Sequence, residues 1–161
     1  MYSYHESSIR TDRVARGMDH CASEGAVWNL TDLVVDSLVR DPFDRSQGLT
    51  TAGSTRSAVR VLIYAVDAEF RIRVGFDGTR GVPDAVKHET LFHNADVEAA
   101  GEMEIERGVI TAVNDFSGSY RTVGAIARDR RFVGAVLEAL NRIAAPISAT
   151  ERRRLEKGAG I

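Results

Sequence analysis

Residues 59 to 76 constrain the fold of this chain most, because they carry a strand pattern on both sides of a short turn. Residues 59 to 66 (VRVLIYAV) form a β-branched apolar run, which is typical of a buried central strand. Asp67-Ala68-Glu69 follows as a turn. Residues 70 to 76 then alternate apolar side chains with Arg71, Arg73 and a glycine, so that only one face is apolar. The pattern predicts a β-hairpin.

Three more segments continue this pattern. Residues 86 to 92, 99 to 106 and 109 to 116 are predicted strands, and Arg107-Gly108 is a tight turn between the last two. Short links between consecutive strands favour antiparallel pairing, because parallel neighbours need crossovers of a dozen or more residues. We therefore expect an antiparallel meander of about five strands.

Helical periodicity appears on both sides of the strands. Apolar residues recur at helical spacing from 29 to 39 and again from 130 to 144. The expected fold is α+β, a single domain over residues 1 to 161 with its sheet packed against an N-terminal and a C-terminal helix. Residues 44 to 57 read as a surface loop, and residues 1 to 22 and 147 to 161 as mobile arms.

Composition excludes several classes of function. The net charge of −2 and a pI near 6.1 give no basic excess, so RNA binding through the arginines is a weak third possibility. The single Cys21 and the absence of a secretory signal predict a reducing cytoplasm, or export by a route that needs no cleavable signal. No apolar stretch is long enough to span a bilayer, and no nucleotide-binding, metalloprotease or nucleophile-elbow motif is present.

Four short motifs occur in a fixed order along the centre of the chain. They are YAVD at 64 to 67, HETLF at 88 to 92, AAGE at 99 to 102 and SGSYR at 117 to 121. With them, the stretch from Leu62 to Tyr120 resembles a domain of plant calmodulin-binding proteins of the IQ-motif family and of bacterial toxin-like C-terminal modules. The family pattern is Y-x-V-D, H-S-S-F-L-A-G, A-A-G-E and S-G-H-Y-R-P, and the resemblance implies a core over residues 59 to 145.

Two of the departures from that pattern affect residues that could carry chemistry. Glu89 replaces the first serine after the histidine, and Ser119 replaces the histidine of S-G-H-Y. The calmodulin-binding I-Q-x-x-x-R-G run is missing, so calmodulin is not implied as a partner. The resemblance supports a fold more strongly than a reaction.

The same motifs supply the candidate catalytic residues. His88 titrates near neutral pH and can act as acid or base, and the alternative is an imidazole that bonds a neighbouring carbonyl. Tyr120 lies where a strand leads into a loop, and the alternative is a ring that covers the core while its hydroxyl meets water. Glu102 is a candidate acid or base, or a solvated strand residue opposite Arg71 and Arg73.

The candidate ligand-binding residues are Arg121, Ser117, Ser119 and Thr90. Arg121 suits phosphate or carboxylate, and residues 117 to 119 would make either an anion nest or an ordinary turn. No cofactor is implied, and the spacing of the histidines and the cysteine predicts no metal site.

Two functions follow. The first is an enzyme-like, toxin-type effector domain that acts on a nucleotide-containing or phosphorylated ligand such as NAD or RNA. The second is a non-catalytic protein-interaction module that has lost the second histidine.

Overall fold

The computed structural model describes residues 1–4, 27–42, 59–77 and 85–161. These residues contain a five-stranded antiparallel sheet, a two-stranded sheet and five helices. The strands are β1 (Trp28–Asn29), β2 (Val34–Val35), β3 (Leu38–Val39), β4 (Arg60–Val66), β5 (Ile72–Gly75), β6 (Ala99–Glu106) and β7 (Val109–Val113). The helices are α1 (Leu30–Leu33), α2 (His88–Leu91), α3 (Ala125–Arg128), α4 (Arg130–Arg142) and α5 (Ala149–Gly158).

The large sheet has the strand order β1-β5-β4-β6-β7, and every pair in it is antiparallel. Its central strand is β4, where Tyr64 pairs with Val74 on one side and with Gly101 on the other. Residues 62 to 66 are all buried, which explains why the apolar run is continuous rather than alternating. The predicted α+β class and the antiparallel sheet of five strands are confirmed.

The strand predicted over residues 86 to 92 is wrong. Val86 forms only an isolated bridge to Asp77, and His88–Leu91 form the short helix α2. Both edges of β4 are occupied, by β5 and β6, so this segment lies over a face of the sheet and buries Leu91 there. The fifth strand is instead β1, which pairs with β5.

The helix predicted over residues 29 to 39 is confirmed only for its first turn, α1. The chain then forms the β2–β3 hairpin, in which Val34 pairs with Val39. Asp36 and Ser37 connect these strands with φ angles of 53° and 69°, the two positive values that a tight hairpin turn requires. This turn overrides the helical spacing of the apolar residues. The predicted loop at 44 to 57, residues 5 to 22 of the predicted arm, and Cys21 lie outside the described residues.

The C-terminal helix is confirmed as α4, which begins after Asp129. The carboxylate of Asp129 accepts hydrogen bonds from the N–H groups of Arg131 and Phe132. Residues 147 to 161 are not a mobile arm, because they contain α5, which buries Leu155 against the core. The carboxylate of Glu151 also accepts a 2.6 Å bond from the N–H of Val113, so α5 covers the outer edge of β7.

The large sheet is covered on both faces. One face carries Leu62, Tyr64 and Val66 and packs against α4 and α5. The other face, called here the α2 face, carries Ile63 and Ala65 and packs against the apolar side of α2 and the loop after β7. Residues 1 to 4 add to this side through isolated bridges to Val97 and Tyr120. No helix among the described residues is long and apolar enough to cross a membrane.

Candidate functional site

His88 begins α2 and is 8% exposed. Its Nε2 lies 2.8 Å from the carbonyl oxygen of Gly101, and since a carbonyl only accepts, Nε2 carries the proton. Burial lowers the pKa of His88 below its ordinary value of 6.5, despite opposing effects of the Gly101 carbonyl and nearby carboxylates. The imidazole is therefore neutral near pH 7, and its contact is the carbonyl bond named above as the alternative to catalysis.

Tyr120 lies on the same face of the sheet and is completely buried. Its hydroxyl donates a 2.7 Å hydrogen bond to the carbonyl oxygen of Ala95, and its ring meets the ring of Tyr4 edge-on at 6.3 Å. Burial raises the pKa of Tyr120 well above its ordinary value. The phenol keeps its proton at neutral pH, and its hydroxyl meets a carbonyl rather than water.

A buried hydrogen bond joins these two parts of the molecule. The hydroxyl of Ser119 donates to the carboxylate of Glu89, and both side chains are buried. At both of these positions the sequence departs from the H-S-S-F-L-A-G and S-G-H-Y patterns. The sequence analysis assigned no role to Glu89. The one feature that could have pointed to this hydrogen bond is that Glu89 and Ser119 each replace a polar residue of the pattern by another polar residue.

Glu102 supports the segment that follows β7. Its backbone N–H donates a 2.8 Å bond to Oδ1 of Asn114, and its Oε1 accepts a 3.1 Å bond from Nδ2 of the same residue. It does not lie opposite Arg71 and Arg73, because β4 separates β6 from β5. Thr90 forms a backbone bond to the carbonyl of Lys87 at 3.0 Å and no side-chain hydrogen bond within the part of the chain that is described.

Residues 114 to 124, called here the β7–α3 loop, are closed at their base by Asp115. The carboxylate of Asp115 accepts hydrogen bonds from the N–H of Gly124 at 2.8 Å and of Ile126 at 3.0 Å. The hydroxyl of Thr122 donates a 2.7 Å bond to the carbonyl of Asp115. These bonds bring the two ends of the loop together, as in a compact Ω-loop.

The middle of the β7–α3 loop is an internally bonded turn. The hydroxyl oxygen of Ser117 accepts bonds from the N–H groups of Ser119 at 3.3 Å and Tyr120 at 3.1 Å. An anion nest would use those same N–H groups, so the contacts favour the ordinary turn that the sequence also allowed.

Three side chains of the β7–α3 loop point outward. Phe116 is 55% exposed and Val123 is 61% exposed. Arg121 is exposed at the apex of a turn in which the N–H of Thr122 donates to the carbonyl of Tyr120 at 2.9 Å. Arg121 forms no ion pair within the described ranges. The structure therefore brings Glu89 and Ser119 into contact, bonds the neighbouring His88 and Tyr120 to separate backbone carbonyls, and leaves Arg121 in solvent.

Metal binding gains no support from the described residues. Among them, no group of three or more histidine, cysteine, aspartate or glutamate side chains is arranged to hold a metal ion. Comparisons of the chain with protein-family models, with characterised proteins and with solved structures give no match.

Proposed function

We propose that this protein is a non-catalytic protein-interaction module that binds its partner through the β7–α3 loop. The supporting observation is a contrast within one loop. Its other polar residues form hydrogen bonds within the protein, whereas Phe116, Arg121 and Val123 point outward.

A loop built in this way is suited to binding. Because its backbone is already fixed by hydrogen bonds, little conformational entropy is lost when a partner docks. Aromatic and arginine side chains are also the residues that most often dominate the binding energy of protein interfaces. Phe116 and Arg121 supply one of each, and Val123 lies directly before Gly124 at the closed base of the loop.

His88 and Tyr120 are positioning residues in this proposal. His88 joins α2 to β6 through the Gly101 carbonyl, and the Glu89–Ser119 hydrogen bond joins α2 to the loop. Tyr120 anchors the loop in the apolar core of the α2 face. Buried polar groups with partners of this kind favour one conformation of the segment that they hold.

Site-specific photo-crosslinking tests the proposal. A photoreactive amino acid at position 116 is expected to form an adduct with a partner in cells, and the same amino acid at position 38 is the control. Leu38 is 50% exposed, but it lies beside Gly108 at the opposite end of the β6–β7 hairpin. Adducts of equal yield at both positions, or none at position 116, would reject the loop as the binding surface.

One observation favours the enzyme-like effector as a second candidate. His88 is neutral, and its Nδ1 forms no hydrogen bond within the described ranges, so this nitrogen retains a lone pair. Catalytic histidines have this form. However, Asp77, Glu89 and Glu102 are the charged groups acting on His88, and their negative charge repels a phosphorylated ligand.

The two candidates differ in a direct assay. Release of nicotinamide from NAD, or cleavage of RNA, by the wild-type protein and its loss in His88→Gln would support the effector. No turnover of either substrate by folded protein would leave the interaction module as the proposed function.

A further inference from the structure

We propose that the segment recognised by the β7–α3 loop is an acidic amphipathic peptide, in which Asp or Glu residues alternate with aromatic or aliphatic ones. This inference rests on the proposed function and specifies the chemistry of the partner.

The charge of the surface is the first argument. Arg121 is exposed at its turn, and the guanidinium of Arg128 lies against Gly124, with its Nε bonded to the Gly124 carbonyl at 3.3 Å. Neither arginine forms an ion pair within the described ranges. The loop and the adjoining helix α3 therefore present two guanidiniums without a carboxylate partner among the described residues, whereas other arginines of the fold have one, as Arg131 has in Glu98.

The nearby carboxylates do not offset this positive charge. Residues 114 to 130 contain only two acidic residues, Asp115 and Asp129. Asp115 accepts backbone N–H groups at the base of the loop. Asp129 accepts the hydroxyl of Tyr2 and two N–H groups at the start of α4. Asp115 is buried and Asp129 already accepts three hydrogen bonds, so the fully exposed charged side chains of this segment are all arginines although the whole chain has a net charge of −2.

Apolar exposure is the second argument. Phe116 and Val123 adjoin Asp115 and Gly124, and the carboxylate of Asp115 bonds the N–H of Gly124. The two exposed side chains therefore lie at the same closed end of the loop, next to Arg128. Their exposed surface suits apolar side chains of a partner, while the guanidiniums suit carboxylates of the same partner segment.

Nucleic acid and membrane surfaces fit the same loop less well. Single-stranded RNA is recognised mainly by several aromatic rings that stack on bases, and the loop exposes one such ring. Binding to anionic lipid requires clusters of about 4 to 8 basic residues, and two arginines with a valine and a phenylalanine are too few.

Selection from a random 12-residue peptide display library tests the inference. The full-length wild-type protein is expected to enrich peptides that combine acidic with aromatic or aliphatic residues. A synthetic peptide of the enriched sequence should bind about 10-fold more weakly to the Arg121→Glu/Arg128→Glu variant, and more weakly as salt rises, because the interaction is partly ionic. Arg40→Glu/Arg153→Glu, at two exposed positions outside the loop, controls for the same change in net charge.

The inference is overturned if the enriched peptides are not acidic, or if both charge variants bind them equally. Tighter binding to an oligouridine strand or to phosphatidylserine vesicles than to the selected peptide would also overturn it. This failure is separate from failure of the proposed function. Crosslinking at position 116 to a partner that lacks acidic segments would retain the interaction module and reject only the chemistry of the partner.

Discussion

Substituting Gly101 by alanine should destabilise the protein strongly. A Cβ at this position would lie 2.0 Å from the carbonyl oxygen and 2.7 Å from the carbonyl carbon of Asn114. Both atoms are backbone, so the chain must move by more than 1 Å to reach an ordinary contact of about 3.4 Å. A glycine inside a strand often marks such an approach of a second backbone segment.

The displaced residue holds several hydrogen bonds. The carbonyl of Asn114 accepts the Tyr64 hydroxyl at 2.8 Å, its N–H donates to the Glu102 carbonyl at 2.9 Å, and its side chain accepts the N–H groups of Glu102 and Phe116. At roughly 1 kcal/mol for each bond, losing three to four of them costs about 3–4 kcal/mol. Urea unfolding followed by circular dichroism should show a midpoint lower by about 2 M for an m-value of about 2 kcal/mol/M.

Gly134 provides the matched control for the same chemical change. It lies in the middle of α4, and a Cβ there would meet nothing within 4 Å. Gly134→Ala should therefore stabilise the protein by about 0.5–1 kcal/mol, since glycine is a poor helix former. A Gly101→Ala variant that unfolds within about 0.5 kcal/mol of the wild type would refute the close approach of the two backbone segments.

Three further substitutions test the buried polar contacts. Burial lowers the pKa of His88 in the folded protein, so as the pH falls below about 6.5 the unfolded chain binds a proton before the folded chain does. The free energy of unfolding should therefore fall more steeply between about pH 7 and pH 5 in the wild type than in His88→Gln, as measured by urea unfolding across pH. Tyr120→Phe removes the bond to the Ala95 carbonyl and should cost about 0.5–1.5 kcal/mol in the same assay; no loss would contradict the anchoring role. Glu151→Ala leaves the N–H of Val113 without its carboxylate and should cost about 1–3 kcal/mol, with faster hydrogen exchange at that amide; unchanged exchange would show that α5 does not cover the edge of β7.

The elements that sequence reasoning predicted are those whose local pattern matches their tertiary environment. The run that forms β4 is apolar at successive positions because the strand is covered on both faces. In the turn before β5, the carboxylate of Asp67 accepts the N–H groups of Glu69 and Arg71, a common use of aspartate in turns. The apolar stripe of α4 has a complete helical period and an N-terminal cap.

The elements that were missed depend on contacts between distant residues. Residues 86 to 92 are apolar enough for a strand, but β6 and β5 take both edges of β4, and no local pattern shows this. From its sequence, the segment that forms α5 is expected to be solvated. In the structure only Leu155 and Glu151 of this helix are buried. Its docking depends on a hydrogen bond to Val113, which is 38 positions away.

The candidate site was predictable in part. The motifs point to α2 and to the β7–α3 loop, which meet on one face of the sheet. The contact between them, from Glu89 to Ser119, spans 30 positions and involves two residues that depart from the recognised pattern. The outward orientation of Phe116 and Val123 was not predictable, because apolar residues in a short turn-rich segment are as often buried as exposed.

The affinity for the protein captured at position 116 tests the central claim most directly. Phe116→Ser/Val123→Ser should weaken its binding by at least about 10-fold, as removal of a central aromatic contact does, while the melting temperature stays within about 2 °C of the wild type. Leu38→Ser, which changes an equally exposed apolar residue at the far end of the β6–β7 hairpin, should bind as the wild type does. Unchanged binding by the double variant, or equal losses in both proteins, would contradict the claim that this loop is the recognition surface.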